Sequence, residues 1–228
     1  MSKALCIIPA RGGSKMIPRK NIKDFLGKPI IIYSIECALK SDLFDEVMVS
    51  TDDDEIAKIA VENGAKVPFF RSERSSSDHA TIMDVVKEVW DCYRKQGEVY
   101  KFVCLIYPTA PFVSIEKLKL GYEKLVNVDA VLTVTDFSYP VWRSFNAKSG
   151  LLSYQWPEFE LSRSQDLEKL YHDAGQWFWI KPTAIKDGRF PKLVAPILLS
   201  NLEVQDIDTL EDWDLAEMKY TLLQKKIL

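Results

Sequence analysis

Short runs of apolar residues alternate along this chain with segments whose apolar residues recur at helical spacing, and few architectures accommodate that alternation. The runs are Ala4 to Ile8, Val47 to Ser50, Lys66 to Phe70, Phe102 to Tyr107, Ala130 to Val134, Gln176 to Ile180 and Val194 to Leu199. Strands this apolar bury both faces, as happens in a mostly parallel sheet covered by helices on each side. The intervening segments supply the helices. Ile32, Ile35 and Leu39 follow Gly27-Lys28-Pro29, with the proline at the first helical position. Ile56, Ile59 and Ala60 follow Asp52 and Glu55, a capping-box-like start, and Gly64 ends that helix. Ile82, Val85, Val86, Val89, Trp90 and Tyr93 stripe one helix face, as do Leu118, Tyr122 and Leu125 on another. The expected fold class is α/β, a mostly parallel sheet with helices on both faces. Ligands of such sheets bind outside the carboxyl ends of the strands. There the loop after Ile8, the polar stretch from Arg71 to Asp78 and the turn Pro108-Thr109-Ala110-Pro111 should meet.

The loop after the first strand, Pro9-Ala10-Arg11-Gly12-Gly13-Ser14-Lys15-Met16-Ile17-Pro18-Arg19-Lys20-Asn21, reads as a grip for a polyphosphate. Gly12 and Gly13 carry no Cβ, so successive amides can turn toward one point and approach an anion closely. Arg11, Lys15, Arg19 and Lys20 concentrate positive charge in a chain whose net charge is −3. Pro18 stiffens the loop, which lowers the entropy lost on binding. The plainer alternative is a solvated basic loop. Neither the Walker spacing nor Gly-x-Gly-x-x-Gly is present, which argues against a P-loop ATPase and a nicotinamide dehydrogenase.

A length of 228 residues suits one domain, 1–228, with an excursion from it. The net acidity argues against general binding of nucleic acid or an anionic membrane. No apolar stretch has the length of a membrane span and Met1-Ser2-Lys3 leads straight into the first strand, so a cytoplasmic protein is expected. Cys6, Cys37, Cys92 and Cys104 are scattered among apolar neighbours and read as reduced packing residues. His79 and His172 are too few for a histidine-rich metal site, and Asp52-Asp53-Asp54 reads as helix capping before metal binding.

From about Asp136 to Asp173 the alternation fails. Pro140, Trp142, Phe145, Tyr154, Trp156 and Phe159 stand among polar residues, with Gly150 as a hairpin turn. An aromatic excursion of this kind suits a homodimer contact, the alternative being a lid folded back on its own subunit. Further on, Asp206 and Asp208 flank Ile207 in an extended segment, so both carboxylates share one face just before a helix that Thr209 can cap. Two hard carboxylates suit Mg²⁺ shared with substrate phosphates, although a D-x-D pair by itself is equally a capping feature.

Three stretches together carry a family resemblance: Ile8-Pro9-Ala10-Arg11-Gly12-Gly13-Ser14-Lys15 with Pro18-Arg19-Lys20-Asn21, then Ser50-Thr51-Asp52, then Asp206-Ile207-Asp208-Thr209. They resemble the cytidylyltransferases that make CMP-activated nonulosonic acids, the CMP-sialic acid synthetase family, over nearly the whole chain. Longer strings look most like the pseudaminic acid branch: Asn21-Ile22-Lys23, Tyr107-Pro108-Thr109-Ala110-Pro111-Phe112, Arg163-Ser164-Gln165-Asp166-Leu167, Tyr171-His172-Asp173-Ala174-Gly175-Gln176 and Val204-Gln205-Asp206-Ile207-Asp208. The resemblance implies a Rossmann-like nucleotidyltransferase sheet and transfer of CMP from CTP to the anomeric hydroxyl of an acidic nine-carbon sugar, releasing pyrophosphate.

In that chemistry Arg11, Lys15 and Lys20, with the loop from Ala10 through Gly12, Gly13 and Ser14, would neutralise the triphosphate. Asp206 and Asp208 would hold Mg²⁺ at the α-phosphate, and either is a candidate acceptor of the hydroxyl proton. By resemblance, Asn21, Arg71, Asp78 and Thr81 fall at the base and ribose. Arg163 and Gln165 fall at the sugar, where an arginine fork suits a carboxylate. Tyr171, His172, Asp173 and Gln176 are candidates for the sugar's substituents, His172 being equally a structural histidine. Met16 stands where many sialic acid members have glycine and Tyr107 where they have glutamine, so a different sugar is expected. A tyrosine favours deoxy or methyl-bearing parts, which fits pseudaminic acid; legionaminic, sialic and 3-deoxy-octulosonic acids follow in that order. Competing classes are a nucleotide-binding protein without turnover and a glycosyltransferase.

Overall fold

The computed structural model describes residues 3–185 and 188–227. β1 (Ala4–Pro9) leads to a short ribbon of β2 (Asp24–Phe25) and β3 (Lys28–Pro29), then α1 (Ile30–Lys40), β4 (Glu46–Ser50) and α2 (Asp54–Glu62). The single turn α3 (Glu73–Ser76), α4 (Ile82–Lys95), β5 (Phe102–Ile106), α5 (Ile115–Lys124) and β6 (Ala130–Asp136) follow. A hairpin of β7 (Phe145–Lys148) and β8 (Leu151–Tyr154) precedes β9 (Tyr171–Ile180), β10 (Val194–Leu198) and α6 (Leu210–Ile227). The six-stranded sheet runs β10-β6-β9-β5-β1-β4. β1 pairs in parallel with β4 and β5, and β6 with β10, while β9 lies antiparallel between β5 and β6. The expected mostly parallel sheet is therefore present, with one reversed strand in its middle.

Alternation along β1 divides the core. Ala4, Cys6 and Ile8 face a cluster with Ile31 and Ile35 of α1, Ile56 of α2 and Leu118 of α5, whereas Leu5 and Ile7 face Val85, Val86 and Val89 of α4. Helices cover both faces, as the unbroken apolar strands require. A third, smaller cluster joins Ile17 of the loop after β1, Phe25 of β2, Ile30 of α1, Ile207, and Trp213 and Ala216 of α6. It ties the grip loop to the acidic segment. The four cysteines are free thiols, Cys6 and Cys104 fully enclosed.

The first core sets a steric limit at one helical glycine. A Cβ on Gly121 of α5 would lie 2.6 Å from Cη2 of Trp177 and 2.9 Å from Cδ1 of Trp179, both rings fully buried. Alanine would gain about 1 kcal/mol of helix propensity, but wedging a methyl against rings that cannot withdraw costs about 1–3 kcal/mol or more. Gly121→Ala should therefore lower the thermal midpoint by up to roughly 8 °C, the net cost reaching about 2 kcal/mol and 1 kcal/mol corresponding to about 2–4 °C at this size. A midpoint at or above the wild-type value in calorimetry would show that the tryptophans have room.

Several expectations need correction. Lys66 to Phe70 is not a strand: Lys66 makes a single bridge to Met48, its N–H donating to Val47 O at 2.9 Å. Pro68 has no N–H with which to continue the ladder. The cap of α2 is Asp53, not Asp52; its carboxylate accepts the N–H groups of Glu55 and Ile56. Pro29 precedes the first helical residue, Ile30, rather than occupying it. Asp136 and Tyr171 to Asp173 belong to paired strands, with Asp136 opposite Tyr171, so the stretch outside the sheet is shorter than 136–173. Within it, Ser149 and Gly150 both have positive φ (53° and 78°), the two-residue turn that suits a twisted hairpin.

Candidate active site

The grip loop is shaped mainly by its own carboxylate contacts. Ala10 is fully buried, and its N–H extends the sheet register by donating to Ser50 O at 2.9 Å. Gly12 donates its amide to Asp52 Oδ1 at 2.9 Å, so that amide faces the start of α2 instead of the cleft. A Cβ on Gly12 would lie 2.6 Å from Asp53 Oδ2; close approach to α2 is what demands glycine there, while Gly13 has open space around it. Arg19, in the left-handed region at φ 56°, forks both guanidinium nitrogens onto Asp53. That contact, with the two α2 amides, holds the Asp53 carboxyl down at about 2. Arg19 is thus a strut between loop and helix.

The remaining cations face a cleft of about 540 Å³ at the carboxyl ends of β1 and β5. Arg11, Ser14, Lys15, Lys20 and Asn21 line it from the loop. Arg71, Asp78 and Thr81 line it from the segment before α4, and Tyr107 and Asp208 close it. Arg11 donates to Asp78 Oδ1 at 2.8 Å and Lys15 pairs with the other oxygen, so these two cations lower the Asp78 pKa, Lys15 most. Lys20 donates to Ile207 O at 2.5 Å and to Asp208 Oδ1 at 3.2 Å. Asn21 is buried, and its amide holds Arg11 O at 2.9 Å, fixing the backbone beneath the arginine. Arg71 is anchored on Ser50, at 3.1 Å to Oγ and 2.9 Å to O, and burial draws its pKa below the ordinary guanidinium value. The Thr81 hydroxyl caps α4 in a box with Asp84. Ala10, Gly12 and Gly13 lie outside the lining.

The candidate sugar residues split. Tyr107 sits in the cleft just after β5, its O accepting from Ser34 Oγ at 2.8 Å. Burial, and after it the carboxylates of Asp173 and Asp206, push its hydroxyl up to about 12, so it faces a ligand as a neutral donor. His172 packs on Phe137 with centroids 4.8 Å apart. Asp173 accepts the Gly175 N–H at 2.8 Å. There, at φ 63°, β9 bulges between its pairings with Leu132 and Val134 of β6. Gln176 is buried and its side-chain amide donates to Glu203 O. Tyr171 is exposed at the strand's start, and Arg163 and Gln165 are exposed at a 3₁₀ turn in the excursion. None of these six lines the cleft of the single chain.

Asp206 and Asp208 project from an extended stretch in which the alternate residue, Ile207, is 1% exposed in the third cluster. Loss of hydration, and then the like charge of Asp208, raise the Asp206 pKa. Two crowded carboxylates of this kind fit a divalent cation. Among the described residues no set of three or more His, Cys, Asp or Glu is arranged to hold one. The pair fits Mg²⁺ only with substrate phosphates and water supplying the other ligands, the usual arrangement for that ion.

The sheet and the cationic cleft at its carboxyl edge define a nucleotidyltransferase, and the chain belongs to the cytidylyltransferase family, whose sequence model matches residues 5–174. Among its relatives it is 45% identical over 224 residues to the pseudaminic acid cytidylyltransferase of Campylobacter jejuni subsp. jejuni serotype O:2, covering 96% of each chain. It is 32% identical to the CMP-N,N'-diacetyllegionaminic acid synthase of Legionella pneumophila, covering 99% of this chain and 100% of that one. A solved CMP:2-keto-3-deoxy-manno-octonic acid synthetase in complex with CTP superposes with a TM-score of 0.69 at 17% identity, over 98% of this chain and 100% of that chain, which supports the fold.

Proposed function

We propose that this protein transfers CMP from CTP to the anomeric hydroxyl of a nonulosonic acid, pseudaminic acid in the first instance, with release of pyrophosphate. The observation that carries the reading is the opposition, across one cleft, of Arg11, Lys15 and Lys20 to Asp208 and the Tyr107 hydroxyl. Attack on the α-phosphate leaves charge on the departing pyrophosphate, and fixed cations stabilise that charge more than they stabilise bound CTP. Arg11 and Lys15 are within reach of one carboxylate, Asp78, whose place a phosphate oxygen can take. Arg71 and Thr81 would face the base and ribose. Mg²⁺ on Asp206 and Asp208 would polarise the α-phosphate. Tyr107 in the cleft, with Asp173, Tyr171, His172 and Gln176 of the neighbouring β9, would form the sugar's surroundings, Gln176 by shaping rather than touching. The test is pyrophosphate release from CTP and Mg²⁺ with pseudaminic, legionaminic and N-acetylneuraminic acids in separate reactions. Release with pseudaminic acid and not the others is expected. Release only with legionaminic acid would keep the chemistry and change the sugar, and no release with any would overturn the reading.

The same reading makes residues 1–228 one catalytic unit and the excursion a dimer arm. Phe137, Tyr139, Phe145, Leu151, Leu152 and Leu161 are exposed there, Leu161 at 94% and Tyr139 at 84%. Apolar surface on this scale marks a protein contact, and a second copy would bring Arg163 and Gln165 toward a neighbouring sugar site. Light scattering should give twice the subunit mass, and a monomer would remove that role from both residues. Among the described residues no helix is long and apolar enough to cross a membrane. The proposed use of CTP, a cytoplasmic nucleotide, makes the cytoplasm the expected location.

A further inference from the structure

The segment that carries Asp206 and Asp208 runs from Val204 to Thr209 without helix or strand, so its backbone groups need partners from elsewhere. Side chains of α6 supply several of them. Lys219 points its ammonium at three oxygens, Asn201 O at 3.1 Å, Val204 O at 2.7 Å and Gln205 Oε1 at 3.0 Å, which uses all three of its donors. Asp212 Oδ2 accepts the N–H of Asp208 at 3.2 Å and both the N–H and the hydroxyl of Thr209 at 2.8 Å. The Gln205 amide links the two, donating to Asp212 Oδ1 at 3.2 Å and to Asp206 O at 3.0 Å. Neither Lys219 nor Asp212 lines the cleft.

We propose that Lys219 and Asp212 are positioning residues that hold the Asp206–Asp208 segment in the geometry the reaction needs. The inference rests on the reading of that segment as the metal-bearing edge of the site. A carboxylate pair contributes only when held within about 0.5 Å of its productive place, and Ile207 alone anchors one side chain, not the direction of its two neighbours. Lys219 fixes where the segment enters and Asp212 fixes where it leaves. Each side chain reaches its end of the segment from α6, a helix of 18 residues. An N-terminal box formed only to cap α6 would need Thr209 and Asp212 but not the further bonds to Asp208 and Gln205.

The test compares Lys219→Met, Lys219→Arg and Asp212→Ala with wild type, with Asp206→Asn as reference. Two readouts are taken: amide hydrogen exchange of residues 201–209 in the protein without ligand, and the Mg²⁺ concentration for half-maximal pyrophosphate release. Lys219→Met and Asp212→Ala should speed exchange in that segment by about tenfold or more while leaving the sheet amides protected. Both should raise the Mg²⁺ requirement on the order of tenfold, as lost support for a metal ligand does. At saturating Mg²⁺ the KM for CTP should move less than the Mg²⁺ requirement does, since Arg11 and Lys15 keep their places against Asp78. Lys219→Arg, which keeps charge and donors, should recover most of both effects. Unchanged exchange and Mg²⁺ requirement in Lys219→Met, with only a lower thermal midpoint, would make the clamp merely structural and overturn the proposal. Should Lys219→Met not fold, Asp212→Ala decides by the same two readouts. If Asp206→Asn leaves the Mg²⁺ requirement unchanged, the metal reading fails, and exchange alone then decides whether α6 orders the segment.

Discussion

Lys20→Ala should lower kcat/KM for CTP by two to three orders of magnitude, the range found when one charge-stabilising donor is removed from a transition state. Lys20 is the loop cation nearest the acidic segment, its side chain only 19% exposed and its ammonium shared between Ile207 O and Asp208 Oδ1. A cation so placed meets both the triphosphate and the carboxylate that faces it. Removal would take away charge stabilisation and also the hydrogen bond to the Ile207 carbonyl. The first loss appears in kcat, because charge on the leaving pyrophosphate grows only as the bond breaks. The fold should be unaffected, since Ile17 and Ile207 remain buried in the third cluster. Steady-state pyrophosphate release alongside circular dichroism checks both halves. Rates near wild type would remove Lys20 from the chemistry and leave it a loop tether.

Much of this site was legible because its chemistry is local in sequence. The cations between Arg11 and Lys20 and the pair Asp206 and Asp208 announce themselves by spacing, and the α/β alternation sends both toward the carboxyl edge of one sheet. What spacing does not carry is which partner each charge takes. The capping-box spacing from Asp52 to Glu55 points to the wrong aspartate as the cap of α2. The choice falls on Asp53 because Arg19, 34 residues earlier, holds its other lone pairs. Asp52 is thereby left to accept the Gly12 amide. The two loop glycines were read alike, yet only Gly12 lies against another element.

Strand direction and strand length were hidden for related reasons. An apolar run such as Gln176 to Ile180 reports burial but not polarity along the sheet, so the reversal of β9 was not visible. Its first residues, Tyr171, His172 and Asp173, lie beyond the core and are exposed, so they lack the apolar signature even though they pair with β6. The bulge at Gly175 shifts the register as well. Gln176, a candidate contact of the sugar by its sequence, turns its amide into the protein to hold Glu203 O. Ile207, an apolar residue between two acids, marks the inward side of its segment.

The carboxylates in the cleft give the second large expectation. Asp78 bridges Arg11 and Lys15, and Asp208 lies 3.2 Å from Lys20, so each cleft-facing cation of the grip has an acidic partner. These partners are solvent-exposed, and exposed pairs are worth about 0–1 kcal/mol; a triphosphate displaces them easily. Asp208→Asn separates two roles for that residue. As a metal ligand, its loss should raise the Mg²⁺ needed for half-maximal rate by about tenfold or more, because affinity for a hard cation follows ligand charge. As a partner of Lys20, its loss frees the ammonium, so binding of CTP without metal should be equal or tighter. Titration of CTP in the presence of a chelator, beside the Mg²⁺ dependence of turnover, measures both. An unchanged Mg²⁺ requirement would put the metal elsewhere. A fall in metal-free CTP affinity as large as the fall in turnover would instead make Asp208 the anchor that holds Lys20 in place.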